Sequence, residues 1–188
     1  KAAFEQNLKD RKLRILFAED FILMGCLVTV FNYISYHLLE APFQLSQSWI
    51  GLISIAYLAG IYSSSKAAQW SFKYGRAKVL PLMLLMMMAG LLITLIPALW
   101  VILLGLIIFT FAFFAAHSTA SSWVSVQAIQ YRAVAASLYL FCYYIGSSLL
   151  GSSGGLIWEN FGWIGINLSV VLVLAVGLFL TFYLHDTK

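Results

Sequence analysis

The sequence predicts an all-α integral membrane protein of six transmembrane helices, arranged as two inverted three-helix repeats. Three observations predict it. Of 188 residues, 62% are apolar and only 10% charged, with a mean hydropathy of +0.92. Soluble domains carry about 25% charged residues, so lipid must solvate much of this chain. The apolar residues run continuously, unlike the alternating strands of a transmembrane barrel. All eleven Lys and Arg residues fall at every second connection between the apolar runs.

A bilayer crossing takes roughly 20 mostly apolar residues. The first helix is placed at about 14–39, ended by Pro42, and the second at about 46–72, with Ser46 as its N-cap and Tyr74-Gly75 as its stop. The third spans about 79–95 and closes near Pro97, and the fourth spans about 99–124. The fifth covers about 133–158, before Asn160-Phe161-Gly162, and the sixth covers about 163–184. Residues 1–13 read as a cytoplasmic lead-in, or as a linker from something upstream; no cleavable signal pattern is visible.

Orientation follows from charge, because Lys and Arg concentrate in cytoplasmic connections. One side holds Lys1, Lys9, Arg11, Lys12 and Arg14, then Lys66, Lys73, Arg76 and Lys78, then Arg132, and last Lys188. The other side has only His37, Glu40 and Glu159 near its connections. Six spans with both termini cytoplasmic satisfy the rule completely. The net charge of +4 is thus a topology signal; no soluble basic face is left for a nucleic acid.

The helices also compare as two groups of three. The middle helix of each group carries small residues four apart: Ala56, Gly60, Ser64 and Ala68 in one, Ser147, Gly151 and Gly155 in the other, with Gly146 and Gly154 alongside. That spacing keeps them on one face, where small residues let membrane helices approach closely. The face packs within the chain, or forms a seam for another half-molecule. The last helix of each group is apolar nearly all round and suits a lipid-facing place. Three is odd, so the second group is inserted upside down relative to the first, as in many transporters.

At the second cytoplasmic turn the chain reads Ala68-Gln-Trp-Ser-Phe72-Lys73-Tyr74-Gly75-Arg76-Ala77-Lys78. This resembles a degenerate copy of the major facilitator loop signature, Gly-x-x-x-Asp-Arg-x-Gly-Arg-Arg/Lys. Gly75 and Arg76 match the Gly-Arg pair, Lys73 replaces the Arg, and Lys78 supplies a further base. Phe72 stands where the acid belongs, which departs from the charge-relay form of the loop. Ala41-Pro42-Phe43-Gln44-Leu45-Ser46, Arg132 through Tyr139, Tyr143-Tyr144-Ile145-Gly146 and Gly162-Trp163 are similar to the C-terminal half of YnfM-like bacterial efflux permeases. The resemblance covers nearly the whole chain. It implies a six-helix half of a major facilitator superfamily (MFS) transporter in the bacterial inner membrane. An N-terminal half would pack on the small-residue faces, with a small-molecule cavity between halves. The expected activity is proton-coupled efflux by alternating access. The alternative is a stand-alone six-helix protein that dimerises as a small carrier or channel.

Several polar residues lie inside or near the spans, where they are costly and usually functional. Glu19 and Asp20, near the inner end of the first helix, have a structural or interfacial role, or serve as a gate or proton site. His117 is a proton-coupling imidazole, or a histidine satisfied by a neighbouring helix. Arg132 caps the fifth helix region or joins a cytoplasmic gate. Asn32, Tyr33, Tyr36, Tyr57, His117, Tyr139 and Tyr143 are candidates for a cavity wall; the tyrosines also suit interface belts or packing. Cys26 and Cys142 read as small buried hydrophobes. The chain has no H-E-x-x-H, no metal-ligand spacing and no phosphate loop. It points to no catalytic residue, cofactor or metal, and away from an enzyme.

Overall fold

The computed structural model describes residues 2–184, apart from the side chain of Leu52. Lys1 and Lys188 of the charge pattern lie outside the described residues. Among those described, every regular element is helical. Helix α1 (Ala2–Lys9) occupies the segment expected as a lead-in. Helix α2 (Arg11–Leu39) is capped by Asp10, whose carboxylate accepts from the backbone N–H of Lys12 at 2.8 Å and of Leu13 at 3.2 Å.

The segment expected as one second helix is divided. A short α3 (Gln47–Leu52) leads through a 3₁₀ turn (Ile53–Ile55) into α4 (Ala56–Tyr74). Gly51 and the β-branched Ile53 and Ile55 are weak helix formers at the joint. Ser46 sits at the N-cap of α3 but makes no capping bond. Gly75 has φ +87°, a backbone that favours glycine, and turns the chain into α5 (Arg76–Ile93). After α5 come α6 (Leu99–Gln127) and α7 (Arg132–Thr181).

Helices α5, α6 and α7 are each long and apolar enough to cross a bilayer. The 50 residues of α7 would extend about 75 Å if straight, more than twice the hydrocarbon thickness. Gly162 breaks α7 with φ +56° and ψ −148°, dividing it into two arms. No side-chain conflict forces this residue type; the backbone angle does.

One end of the bundle gathers the start of α2, the end of α6 and the start of α5. Gln127 donates to Asp10 at 2.8 Å, and the Arg76 guanidinium donates to Ser122 at 3.4 Å. Arg11 lies 4.6 Å over the Tyr183 ring, just beyond α7. At the other end, Trp163 donates to the Thr94 carbonyl at 3.3 Å and stacks on His37 at 5.5 Å. Asn167 nearby donates to Leu91 O at 3.0 Å and Thr94 Oγ1 at 2.9 Å. The face of this last arm bearing Asn167 is therefore buried on α5, where an all-round lipid-facing helix was expected.

Candidate functional site

The first helix carries its two acids where they vanish from the surface: Glu19 and Asp20 are both 0% exposed. Asp20 lies nine residues into α2, about 14 Å along it. His117 lies ten residues from the end of α6, about 15 Å, and Tyr139 lies seven residues into α7, about 10 Å. Because these helix ends share one end of the bundle, the three side chains arrive at one level. His117 Nδ1 is 2.8 Å from Asp20 Oδ1. The Tyr139 hydroxyl is 3.2 Å from His117 Nδ1 and donates to the His117 carbonyl at 3.3 Å.

Aromatic rings fix the imidazole in place. Phe113 stacks on it at 5.8 Å and 9°, and Tyr143 lies 5.5 Å away. The imidazole is 27% exposed, so it links a sealed carboxylate to the surface of the chain. The second oxygen of Asp20 has no hydrogen-bond partner. A carboxylate, an imidazole and a phenol in contact make a chain along which one proton can be held and passed.

The other expected cavity residues gather elsewhere. Tyr33, Tyr36 and Trp158 form a ring cluster with centroids about 6 Å apart at the opposite end of α2. The Tyr33 hydroxyl donates to Gly151 O at 3.2 Å, while Tyr36 and Asn32 are exposed. Tyr57 packs between Phe31, at 4.9 Å, and Phe114, at 5.8 Å. Arg132 donates to the Ala128 carbonyl at 3.2 Å and so caps the end of α6. Among the described residues no group of three or more His, Cys, Asp or Glu is placed to hold a metal ion.

No protein-family model matches the chain. Individual relatives do. It is 47% identical over 178 residues to a transporter of Buchnera aphidicola subsp. Schizaphis graminum, covering 95% of this chain and 43% of that protein. It is 44% identical over 178 residues to the MFS-type transporter YybF of Bacillus subtilis (strain 168), covering 95% and 44%. It is 46% identical over 182 residues to the inner membrane transport protein YnfM of Escherichia coli (strain K12), covering 97% and 44%. Over nearly its whole length the chain is similar to transporters, one of them named MFS-type. It spans about half the length of the curated relatives it matches, and their names are those of transporters, not enzymes.

The loop residues meet at the α4–α5 turn. Lys73 lies 5.1 Å over the Tyr74 ring, Gly75 makes the turn, Arg76 reaches Ser122 of α6, and Lys78 is exposed. Of the expected small-residue faces, Gly60 meets Phe114, and the Ser64 carbonyl accepts from Ser118 at 3.4 Å. Ala68 is exposed. On α7, Gly151 packs at Val28, Ser147 bonds back to its own helix, and Gly155 meets only the Tyr33 hydroxyl at 3.6 Å. The tightest approach to α2 falls instead on Gly146 and Gly154, facing Phe21 and Tyr33, with Gly25 opposite. Phe113 and Gly25 carried no pattern that marked them, because each acts through a partner distant in sequence.

Proposed function

We propose that this chain is the C-terminal half of an alternating-access efflux transporter, and that Asp20, His117 and Tyr139 form its proton site. The observation that carries the reading is the 2.8 Å contact between a fully buried carboxylate and a partly exposed imidazole. Intramembrane ionisable groups in contact mark proton pathways. When Asp20 takes a proton, its attraction for His117 weakens and the tie between α2 and α6 loosens. Losing that proton restores it. Such a bistable contact between helices is what coupling a proton to a conformational change requires.

The proposed topology has six spans: α2, the α3–α4 segment, α5, α6 and the two arms of α7 on either side of Gly162. They form two inverted repeats behind the lead-in 1–13, with both termini cytoplasmic in a bacterial inner membrane. The gathering of Asp10, Arg11, Arg76, Gln127 and Tyr183 at one end of the bundle supports this arrangement. The doubled length of the relatives supports a partner half over a stand-alone chain. The partner's wall would complete a cavity for a small molecule, reached by Tyr143, Tyr57, Asn32 and Tyr36. Ser64, Ala68 and Ser147 retain room for that wall, whereas Gly60 is taken up by Phe114 and Gly155 lies beside Tyr33.

The test uses the full-length transporter in everted membrane vesicles containing a pH-sensitive dye. Ethidium and a monosaccharide serve as transport probes, one amphipathic and one polar. A moved probe should drive proton movement the opposite way, and His117→Gln and Asp20→Asn should abolish both. Probe movement that persists after the proton gradient is collapsed, or in His117→Gln, would overturn the proposal.

A further inference from the structure

The Asp20–His117–Tyr139 contact leaves its neighbour unused. Glu19 is as deeply buried as Asp20, yet neither of its oxygens has a hydrogen-bond partner. Its direction is set by helix geometry. Consecutive residues point about 100° apart, so Asp20 turns toward α6 and the first arm of α7 while Glu19 turns toward the second arm. There it faces Gly177. A Cβ built on Gly177 would sit 3.1 Å from Glu19 Oε2 and 3.4 Å from Ile22. The missing side chain at Gly177 therefore leaves the carboxyl uncrowded, and a methyl there would press on Oε2.

The slot is apolar. Among the described residues, no Lys, Arg or His is hydrogen-bonded or ion-paired to Glu19. On its own helix the nearby ionisable groups are Asp20 and Cys26, and on α7 Tyr139, all neutral or anionic when titrated. A carboxylate left here with no donor and no cation would forfeit its hydration without compensation. The neutral acid is the form the slot accommodates. Beside it runs a largely apolar groove of about 620 Å³, whose one charged wall residue is Arg14, five residues before Glu19 on α2. Its walls include Phe17, Ala18 and Ile22 from α2, and Val173, Val176 and Leu180 from α7. These residues flank Glu19 on one side and Gly177 on the other.

We propose that Glu19 is a second proton-carrying site, independent of Asp20, held as a neutral carboxylic acid against Gly177 and reached by apolar reagents through this groove. The inference rests on the membrane reading above, but not on the role given to His117. It means that this half carries two acids at one depth with different partners. Asp20 exchanges its proton through an imidazole that reaches the surface of the chain. Glu19 has no such relay and exchanges only when the second arm of α7 moves away from α2.

The test is dicyclohexylcarbodiimide labelling of the full-length transporter in native membranes at neutral pH, read by peptide mass spectrometry. The reaction requires the protonated acid. The carboxyl proton goes to a carbodiimide nitrogen and the carboxyl oxygen adds to the central carbon. The acyl group then shifts to nitrogen, leaving a stable N-acylurea. The adduct is expected on Glu19, unchanged in Asp20→Asn and in His117→Gln, and absent in Glu19→Gln. It should form more slowly in Gly177→Ala, whose added methyl crowds Oε2. No adduct on Glu19 in membranes, when SDS-denatured protein is labelled there, would overturn the proposal. So would an adduct on Asp20 in its place, or loss of the Glu19 adduct in Asp20→Asn. Failure of the vesicle experiment with an intact Glu19 adduct would remove the imidazole relay and leave this site standing.

Discussion

Gly146→Ala should loosen the α2–α7 contact and weaken the proton site at a distance. A Cβ at Gly146 would lie 2.8 Å from Phe21 C and Cα, and nearer still to Phe21 O. These are backbone atoms, which cannot swing aside as a side-chain tip can. Restoring an ordinary 3.4 Å contact from 2.8 Å moves the helices apart by at least about 0.6 Å. Overpacking of this kind costs about 1–3 kcal/mol. The better helix propensity of Ala returns up to about 1 kcal/mol, leaving a net loss of roughly 1–2 kcal/mol. Tyr139 lies two turns away on the same arm. A displacement of 0.6 Å there takes its 3.2 Å contact with His117 Nδ1 beyond hydrogen-bond range. The assay is equilibrium unfolding of the full-length protein from mixed micelles by SDS, with Gly155→Ala as control. Gly155 meets only the Tyr33 hydroxyl, at 3.6 Å, so its Ala variant should match or exceed wild type. Equal stability of the two variants would refute the packing argument.

Gly162→Ala should destabilise the protein by about 1–3 kcal/mol in the same assay, although nothing lies within 4 Å of the added methyl, because φ +56° with ψ −148° is a glycine backbone. Asn167→Leu removes two donated bonds, to Leu91 and Thr94, and should cost about 0.6–1.7 kcal/mol by SDS unfolding. Asp10→Ala removes the cap of α2 and the acceptor for Gln127; amide exchange in the first turn of α2 should quicken by about fivefold, for a loss of about 1 kcal/mol. Tyr139→Phe keeps the ring but removes the hydroxyl, so proton-linked probe movement in vesicles should slow while His117→Gln abolishes it.

The helical runs were legible because apolar length marks a membrane helix before any contact is known. The breaks were less so. Gly162 announced a boundary in sequence, and the structure places its one non-helical residue of α7 there. The α3–α4 joint gave only weak propensity signals and reads as continuous by hydropathy. For the site, each polar residue stood out against its apolar run, but partnership did not. His117 and Asp20 are 97 residues apart and meet because two helices cross. Spacing of four singled out Ser147, Gly151 and Gly155 on α7. The helix presents Gly146, Gly151 and Gly154 to α2, since its rotation is set by a partner with one glycine, Gly25, too few to show a pattern. Asn167 lay in an arm whose Val, Leu and Phe content suggested lipid, and only its bonds to α5 place that face inside.

Six spans require the chain to be threaded with its basic turns on one side, and impermeant thiol labelling measures that directly. In a full-length transporter freed of its native cysteines, single cysteines are placed at Lys78, in the first turn of α5, and at Asn160, beside the break in α7, both exposed. A charged maleimide added to intact spheroplasts should label the cysteine at Asn160 and reach the one at Lys78 only after permeabilisation. Labelling of both from the same side would contradict the six-span topology and the inner position of the Asp20–His117 site.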